Sequence, residues 1–321
     1  MSILKTRVSI SEVENFLKKD FGVNIKNIEI LKGGEISQAF SFDNESESYV
    51  IKIRNVKKRF RKFNPFVKEK TISEILSTRN PLIPIPENVV YGTFKETKKE
   101  KFIYSIVKKV KGDFVHLFPQ EKFNSVDCNL IDLLYLIHTT DIADTRGFGN
   151  WEEWKNARYK SMQEHILEGL EREKIYTNER FSTGIFEIEL YNEGSDKIRE
   201  LLKFCSSYRF LVHADYGYDN VLADSEGNIT AVFDWEHSIF GDFVYDIAWL
   251  DFWGFREEDT YSKLYYEKYK GSDLLDFENY EERLLCYKIY VGMSAAGFFS
   301  ETNQEDKYLE AKQRLLSLLL F

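Results

Sequence analysis

The chain has 321 residues, 43% of them hydrophobic and 16% aromatic, which is enough for one large core or two smaller ones. The formal net charge of −9 is unevenly distributed, because residues 1–107 carry +7 and residues 108–321 carry −16. A strongly acidic body repels nucleic acid and anionic membranes, and no apolar stretch approaches the ~20 residues of a membrane span, so neither partner is expected.

The N-terminus and the cysteines indicate the cellular compartment. The N-terminus has no basic start, apolar core and cleavage site of the kind found in signal peptides. Cys128, Cys205 and Cys286 are far apart and odd in number, which is typical of buried thiols in a reducing compartment. The sequence therefore predicts a cytoplasmic protein.

The first third of the chain is predicted to form a small antiparallel sheet with a helix. Ser9 or Ser11 can cap an opening helix whose first turn holds Glu12 and Glu14, and Gly22 can end it. Strands are predicted by apolar alternation at 25–31, 39–42, 49–53, 89–94 and 102–109.

A turn between the first two strands contains Gly33, Gly34 and Ser37. Backbone amides in such a turn can approach a phosphate closely, because glycine has no side chain. The turn predicts a nucleotide contact only weakly, since a two-glycine hairpin needs no ligand. It also departs from the spaced glycines of protein kinases, and the chain contains no GxxxxGK[ST] phosphate loop.

Lys52 is a stronger indication of a nucleotide site. Period-two alternation puts Val50 and Lys52 on one face of their strand, and a lysine buried there is costly unless it meets an anion. We expect Lys52 to contact nucleotide phosphates and Val50 to cover the base; the alternative is an exposed lysine on an edge strand. A helix is predicted at 66–78, and Glu69 lies on its apolar stripe, so Glu69 is the expected partner of Lys52 with Glu74 as the second choice.

The turn at 111–113 leads into a larger and mostly helical part of the chain. We predict a bilobal α+β fold with lobes at 1–109 and 110–321, in which the hinge residues Lys109 and Val110 contact the nucleotide. All five prolines precede residue 120, which suits a helical second lobe. Helices are predicted there at 123–140, 151–173, 192–207, 244–253, 261–270, 277–299 and 304–319.

The most informative residues are Asp215, Asn220 and Asp234. In phosphoryl transfer of the kinase type, one Asp receives the acceptor hydroxyl, and an Asn and a second Asp bind magnesium. Apolar runs at 221–223 and 229–233 flank a turn-rich insert and predict a β-hairpin that returns Asp234 beside Asn220. The side-chain oxygens of Asn220 and Asp234 would then lie close enough together to bind one Mg²⁺ ion, which prefers oxygen ligands.

The acceptor side is less well defined. Carboxylates near the base would suit a cationic substrate, and tryptophans offer flat faces for sugars or cations. The candidates that follow Asp234 in sequence are Glu236, Asp251, Glu257, Glu258, Asp259 and Trp253, with Trp249 beside them. The alternative is that the tryptophans belong to the core and that residues 257–259 begin a helix.

The order of these features resembles the aminoglycoside phosphotransferase family, a branch of the protein-kinase-like fold. The resemblance extends from Lys32 to Trp253 and is carried by residues 49–52, 83–87, 213–222, 229–235 and 240–248. Within the family, residues 211–215 and 229–235 are most similar to hygromycin B phosphotransferases, although Ala214 stands where many relatives have glycine.

The resemblance implies roles for individual residues. Asp215 would be the catalytic base or orient the hydroxyl, while Asn220 and Asp234 would bind Mg²⁺. Lys52 would contact the α- and β-phosphates, and Glu69 would orient it. His213 would stabilise the catalytic loop, and Asp242 and Asp246 would brace it.

The implied reaction is direct transfer of the γ-phosphoryl group of ATP or GTP to a hydroxyl of a hygromycin B-like aminoglycoside, which would confer resistance. One alternative is a metabolic kinase of the same fold that acts on choline, homoserine, a fructosamine or another sugar. Another is a protein that binds nucleotide without turnover, and the joint presence of Lys52, Asp215, Asn220 and Asp234 argues against it.

Overall fold

The computed structural model describes residues 5–22, 25–45, 47–56, 64–119, 123–181, 185–254 and 260–320. Within these ranges the protein is α+β, as predicted. The helices are Ile10–Phe21 (α1), Pro65–Arg79 (α2), Phe123–His138 (α3), Met162–Phe181 (α4), Ile188–Leu201 (α5), Val244–Trp253 (α6), Tyr261–Tyr269 (α7), Tyr280–Glu301 (α8) and Glu305–Leu318 (α9). The strands are Ile25–Leu31 (β1), Gln38–Asn44 (β2), Glu47–Val56 (β3), Asn88–Glu96 (β4), Lys101–Lys108 (β5), Asp113–Phe114 (β6), Phe148–Glu153 (β7), Asn156–Tyr159 (β8), Phe210–Val212 (β9), Val221–Ala223 (β10), Ile229–Val232 (β11) and Ile239–Gly241 (β12).

The upper half of the molecule is built on a five-stranded antiparallel sheet in the order β1-β2-β3-β5-β4. In β3, Ile51 and Ile53 are fully buried and pack in a core with Leu17 of α1, while Val50 and Lys52 lie on the opposite face. Because β3 pairs on both sides, the alternative of an edge strand for Lys52 is excluded.

The opening helix is confirmed together with its caps. The Ser9 hydroxyl accepts a hydrogen bond from the Glu12 amide, and the Glu12 carboxylate accepts one from the Ser9 amide, which is a complete capping box. Gly22 ends the helix at a φ of 64°, a left-handed conformation that glycine adopts without strain.

Helix α2 belongs to the upper half in chain order and packs on both halves, since its Phe66 is buried with Val56 of β3 and Ile103 of β5. Ile72 and Leu76 are fully buried in the same core as the lower helices. The Lys68 ammonium, only 1% exposed, donates to Asn150 Oδ1 at 2.7 Å and to the Ser238 carbonyl at 2.5 Å. Both acceptors lie in the lower half.

The C-terminal end of α2 is held to the lower half as well. Arg79 makes two hydrogen bonds to the Asp144 carboxylate, at 2.8 and 2.9 Å, and one to the Asp141 carbonyl at 2.7 Å. Asn80 donates to the Leu136 carbonyl at 2.9 Å. The helix that carries Glu69 is therefore fixed to the lower half near both of its ends.

The lower half combines the remaining helices with two small sheets, in the orders β11-β10-β6 and β8-β7-β12-β9. The predicted helix at 151–173 is wrong in its first part, because residues 148–159 form the hairpin β7–β8. Trp151 is buried and stacks on Phe240 of β12, with ring centroids 5.8 Å apart. Long-range pairing with β12 thus overrides the local helical pattern.

The other predicted helices are confirmed with shifts of a few residues at their ends. The largest shift is in α5, which begins at Ile188 and is followed by a 3₁₀ turn at Leu202–Phe204. Among the helices of the described ranges, none is long and apolar enough to cross a membrane.

Candidate active site

The loop that carries Asp215 follows β9 and is held by a buried carboxylate. Asp246, at the start of α6, accepts hydrogen bonds from the backbone amides of His213 at 2.8 Å and Ala214 at 2.7 Å. It also contacts the His138 ring at 3.1 Å. Ala214 has a φ of 62°, a strained conformation for a residue with a side chain. The strained conformation is kept because the hydrogen bonds from these two amides to Asp246 fix the loop.

Asp215 and Asn220 are joined across the loop. The Asn220 side-chain nitrogen donates to the Asp215 carbonyl at 2.8 Å and to Asp215 Oδ2 at 2.9 Å. Burial raises the pKa of Asp215 to about 7. A carboxylate with a pKa in this range can take up a proton near neutral pH, as an acceptor of the substrate hydroxyl proton must.

The β10–β11 hairpin is confirmed and brings Asp234 back to the loop. Val221 is paired with Val232, and the Phe233 amide donates to the Asn220 carbonyl at 3.1 Å, so Asp234 lies two residues beyond the end of β11. Asp234 itself has a φ of 67° and begins a short 3₁₀ turn. The local backbone thus turns sharply at the residue expected to bind metal.

His213 occupies a structural position, in line with its expected role. Its Nε2 contacts the Phe233 carbonyl at 3.1 Å, which links the catalytic loop to the hairpin. Burial lowers the pKa of His213, so the ring is neutral and Nε2 carries the proton that the carbonyl accepts.

Lys52 lies between two carboxylates. Its Nζ is 3.5 Å from Glu69 Oε1 and 3.5 Å from Asp234 Oδ1. Glu74 instead pairs with Lys70 on the outer face of α2 and is two-thirds exposed. The structure therefore brings Glu69 to Lys52 and leaves the second choice on the surface.

The charges around Lys52 influence one another. Burial would lower the pKa of Lys52, but Asp234, Glu69 and Glu236 together raise it above its usual value, so the amine is cationic. Burial raises the pKa of Glu69 to about 7, against the opposing effect of Lys52. Lys52 is thus the shared cation of a cluster of acids.

Arg54 and His237 are functional candidates that the sequence analysis missed. Arg54 forms a close ion pair with Glu236, which joins β3 to the 3₁₀ turn after Asp234. His237 Nε2 is 3.4 Å from Glu236 Oε1; partial desolvation lowers the pKa of His237, but Glu236 and then Asp215 raise it to about 9. Arg54 could have been predicted, because period-two alternation places it on the same face of β3 as Lys52.

The donor set at Asn220 and Asp234 fits a hard divalent cation. The Asn220 nitrogen faces Asp215, which turns the amide oxygen away from that residue. The Asp234 side chain is 38% exposed and offers carboxylate oxygens to the cleft. Carboxylate and amide oxygens are the protein ligands that Mg²⁺ prefers.

The glycine turn joins the edge strand β1 to β2, and the residues predicted as the hinge follow β5. Gly33 and Gly34 have φ values of 108° and 66°, and the space beside Gly33 is open. The Ser37 carbonyl, like those of both glycines, accepts a hydrogen bond from Lys5. After β5, the Lys109 amide donates to the Ser48 carbonyl at 2.9 Å, and Val110 follows at the start of the connection to the lower half.

The structure distributes the predicted substrate residues unevenly. Glu236 lies among the charges around Lys52, but its carboxylate is engaged by Arg54. Asp251 is not brought to the cleft surface: its carboxylate is 1% exposed, accepts from the amide and hydroxyl of Ser262, and pairs with Lys288. Trp253 is half-buried against Phe252 and Phe299. Glu257, Glu258 and Asp259 lie outside the described residues.

A sheet-based upper half, a helical lower half and a cluster of acids around Lys52 where they meet define the class of phosphoryl-transfer enzymes with a kinase-like fold. The chain belongs to the phosphotransferase enzyme family, whose model matches residues 27–283. Hygromycin-B 4-O-kinase of Escherichia coli is 28% identical over 249 residues, which cover 78% of this chain and 68% of that relative.

Solved structures show the same fold. A thermostable mutant of aminoglycoside phosphotransferase APH(4)-Ia, crystallised as a ternary complex with AMP-PNP and hygromycin B, superposes with a TM-score of 0.79 at 24% identity, covering 96% of this chain and 98% of that chain. Choline kinase LicA of Streptococcus pneumoniae has a TM-score of 0.64 at 16% identity, covering 96% of this chain and 99% of that one. The architecture is thus shared by kinases with different acceptors.

Proposed function

We propose that the protein transfers the γ-phosphoryl group of ATP or GTP to a hydroxyl of an aminoglycoside of the hygromycin B type and thereby confers resistance. The observation that supports this most directly is the convergence of Lys52, Glu69 and Asp234 beside the loop of Asp215 and Asn220. The family match and the relatedness to a hygromycin-B 4-O-kinase support the reaction and the acceptor.

The two halves act as two lobes, 1–109 and 110–321, with the nucleotide between them. Lys52 contacts the α- and β-phosphates and is kept in place by Glu69. Gly33, Gly34 and Ser37 form the turn above the phosphates, and Val50 covers the base. Lys109 and Val110 approach the base from the hinge that follows β5.

On the lower side, Asp215 orients the acceptor hydroxyl and receives its proton as the hydroxyl oxygen bonds to the γ-phosphorus. The bond from that phosphorus to the β,γ-bridging oxygen breaks, and ADP or GDP leaves. The raised pKa of Asp215 favours this uptake, and its hydrogen bond from Asn220 fixes the carboxylate. Asn220 and Asp234 are the residues that would hold Mg²⁺, which when bound neutralises charge on the phosphates.

An acidic lower half suits a polycationic acceptor. Residues 108–321 carry a net charge of −16, which attracts amines over long range and raises the rate of encounter. Trp253 is a candidate contact for a sugar ring, since it is half-buried at the end of α6. Asp251 is not included, because Ser262 and Lys288 already engage it.

A nucleotide-turnover assay with purified protein tests the proposal. ADP or GDP release is measured with ATP or GTP, Mg²⁺ and a panel of hygromycin B, kanamycin, choline, homoserine and a fructosamine. We expect turnover with hygromycin B, phosphorylation of the drug, and protection of an expressing strain against hygromycin B. Turnover confined to choline or another metabolite would instead support a metabolic kinase.

A matched pair of variants ties any turnover to this site. Asp215→Ala should lower kcat by roughly 10³-fold or more while AMP-PNP still binds, because positioning the hydroxyl and binding nucleotide use different groups. Asp219→Ala removes a neighbouring acid whose side chain is 87% exposed and should leave kcat near that of the wild type. Near-full activity of Asp215→Ala would remove that residue from its role.

A further inference from the structure

The glycine turn is held from outside by a lysine near the N-terminus. Lys5 Nζ donates hydrogen bonds to the carbonyls of Gly33 at 2.6 Å, Gly34 at 2.7 Å and Ser37 at 2.6 Å. An ammonium group has three protons, and all three are directed at one turn. Hydrogen bonds from a charged donor are shorter and stronger than neutral ones.

The segment that carries Lys5 is itself fixed along the sheet. The Thr6 amide donates to the Ile36 carbonyl at 2.8 Å, and the Asn55 amide of β3 donates to the Thr6 hydroxyl at 2.9 Å. The Val8 amide donates to the side chain of Gln38 at 2.6 Å, and the Val8 side chain is buried in the upper core. Residues 5–8 therefore form a strap across the base of the turn.

This arrangement decides which way the turn amides face. In a planar trans peptide the N–H points opposite to the C=O, so carbonyls of Gly33 and Gly34 that face Lys5 direct the amides of Gly34 and Glu35 to the other side. Successive amides in a turn with positive φ form a concave site for anions. The side of Gly33 is open, since a Cβ built there would meet no atom within 4 Å.

The turn also lies next to the proposed phosphate contact. Strand β2 begins directly after Ser37, and its Ala39 is paired with Lys52. The residues oriented by Lys5 are thus neighbours, across one strand, of the lysine proposed to contact the α- and β-phosphates.

We propose that Lys5 is a positioning residue for the nucleotide phosphates: it binds the carbonyls of the glycine turn so that the turn amides are presented to the phosphate chain. Lys5 does not touch the nucleotide and acts through the turn. The inference rests on the proposed function, because it requires a nucleotide whose phosphates lie under this turn.

Binding of AMP-PNP and of adenosine to the full chain separates a positioning role from a general structural one. With Mg²⁺ present, Lys5→Met should weaken AMP-PNP binding by about tenfold, while adenosine binding should change less than about twofold, since adenosine has no phosphate to position. Lys5→Arg keeps the charge and several donors and should restore part of the AMP-PNP affinity.

Lys32→Met is the matched control. Lys32 is exposed and directly precedes Gly33, so its substitution removes the same charge near the turn without removing the carbonyl contacts of Lys5. It should change AMP-PNP affinity much less than Lys5→Met does.

Four outcomes overturn the inference. Unchanged AMP-PNP binding by Lys5→Met would show that the turn needs no such anchor, and an equal loss for adenosine would show general damage. An equal loss in Lys32→Met would show that only charge matters. Failure of the wild type to bind AMP-PNP would overturn the proposed function and this inference with it, whereas a wild type that binds with an unaffected Lys5→Met would overturn the inference alone.

Discussion

The catalytic loop and the glycine turn are both shaped by one charged side chain that binds backbone groups, but the two anchors are of opposite sign and differ in burial. Asp246 is fully buried and accepts from the amides of His213 and Ala214, whereas Lys5 is partly exposed and donates to carbonyls of Gly33 and Gly34. Removing a buried charge leaves its hydrogen-bond partners unpaired, which costs free energy. When an exposed charge is removed, water can bind its former partners. The loop of Asp215 is therefore held more firmly than the glycine turn.

The largest effect is expected at the buried anchor. Asp246→Ala leaves two backbone amides and the His138 ring without their acceptor, which should lower the free energy of unfolding by about 3–5 kcal/mol. Urea denaturation of Asp246→Ala measures this loss, with Asp219→Ala as the exposed control that should unfold near the wild-type midpoint. A similar loss in Lys5→Met would remove the contrast between the two anchors.

Lys68, a third charged group that binds distant parts of the chain, should make the free energy of unfolding depend on pH. Burial lowers the pKa of Lys68 to about 7, against a usual value of 10.5, and its hydrogen bonds go to the neutral acceptors Asn150 and Ser238. Between about pH 7 and 10.5 the unfolded chain keeps a proton that the folded chain has released, so the free energy of unfolding rises with pH. From pH 7 to 9.5 we expect this group to add about 3 kcal/mol.

Urea denaturation at pH 7, 8 and 9.5 checks the direction of this change, because the contribution of Lys68 should disappear in Lys68→Met. Lys70→Met is the matched control, since Lys70 lies on the exposed face of the same helix and pairs with Glu74. Persistence of the full pH dependence in Lys68→Met would assign it to other groups.

At the proposed metal site the comparison concerns binding and not folding. Asp234→Asn keeps the shape of the side chain but removes the negative charge, so AMP-PNP affinity in the presence of Mg²⁺ should fall by about tenfold or more. Calorimetric titration with and without Mg²⁺ measures this, and once the metal is omitted the variant should bind no more weakly than the wild type. Equal affinities with Mg²⁺ would contradict the ligand assignment.

The smallest effect is expected in the glycine turn. Gly33→Ala places a side chain at a φ of 108°, which should cost about 1–2 kcal/mol of conformational strain although the site has room for a methyl group. Gly271→Ala is the control, because that site is equally open and has no positive φ. Unfolding midpoints and AMP-PNP affinities that do not distinguish the two variants would show that the turn tolerates other conformations.

Local patterns in the sequence predicted the elements whose causes are local. The capping box of Ser9 and Glu12, the hairpin before Asp234 and the position of Glu69 on α2 all follow from residues a few positions apart. The reaction class followed as well, because its residues lie in two short stretches and on one strand.

Contacts between distant parts of the chain could not be predicted in this way. Lys68 and Ser238 are 170 residues apart, and Lys5 reaches a turn about 30 residues away, so no periodicity indicates either. The prediction of a helix at Trp151 is wrong because β7 forms through pairing with β12, which is distant in sequence and leaves no local pattern. The hydrogen bonds from Ser262 to Asp251 likewise could not be predicted, because they depend on how α7 packs against α6.

The attachment of α2 to the lower half has a consequence for movement between the lobes. Lys68 and Arg79 hold the helix to the lower half while Phe66 packs against the sheet, so Glu69 lies at the joint between the two halves. Any rotation of the sheet changes the separation of Nζ and Oε1, which is 3.5 Å here. The length of the Lys52–Glu69 ion pair is therefore sensitive to the orientation of the sheet relative to the lower half.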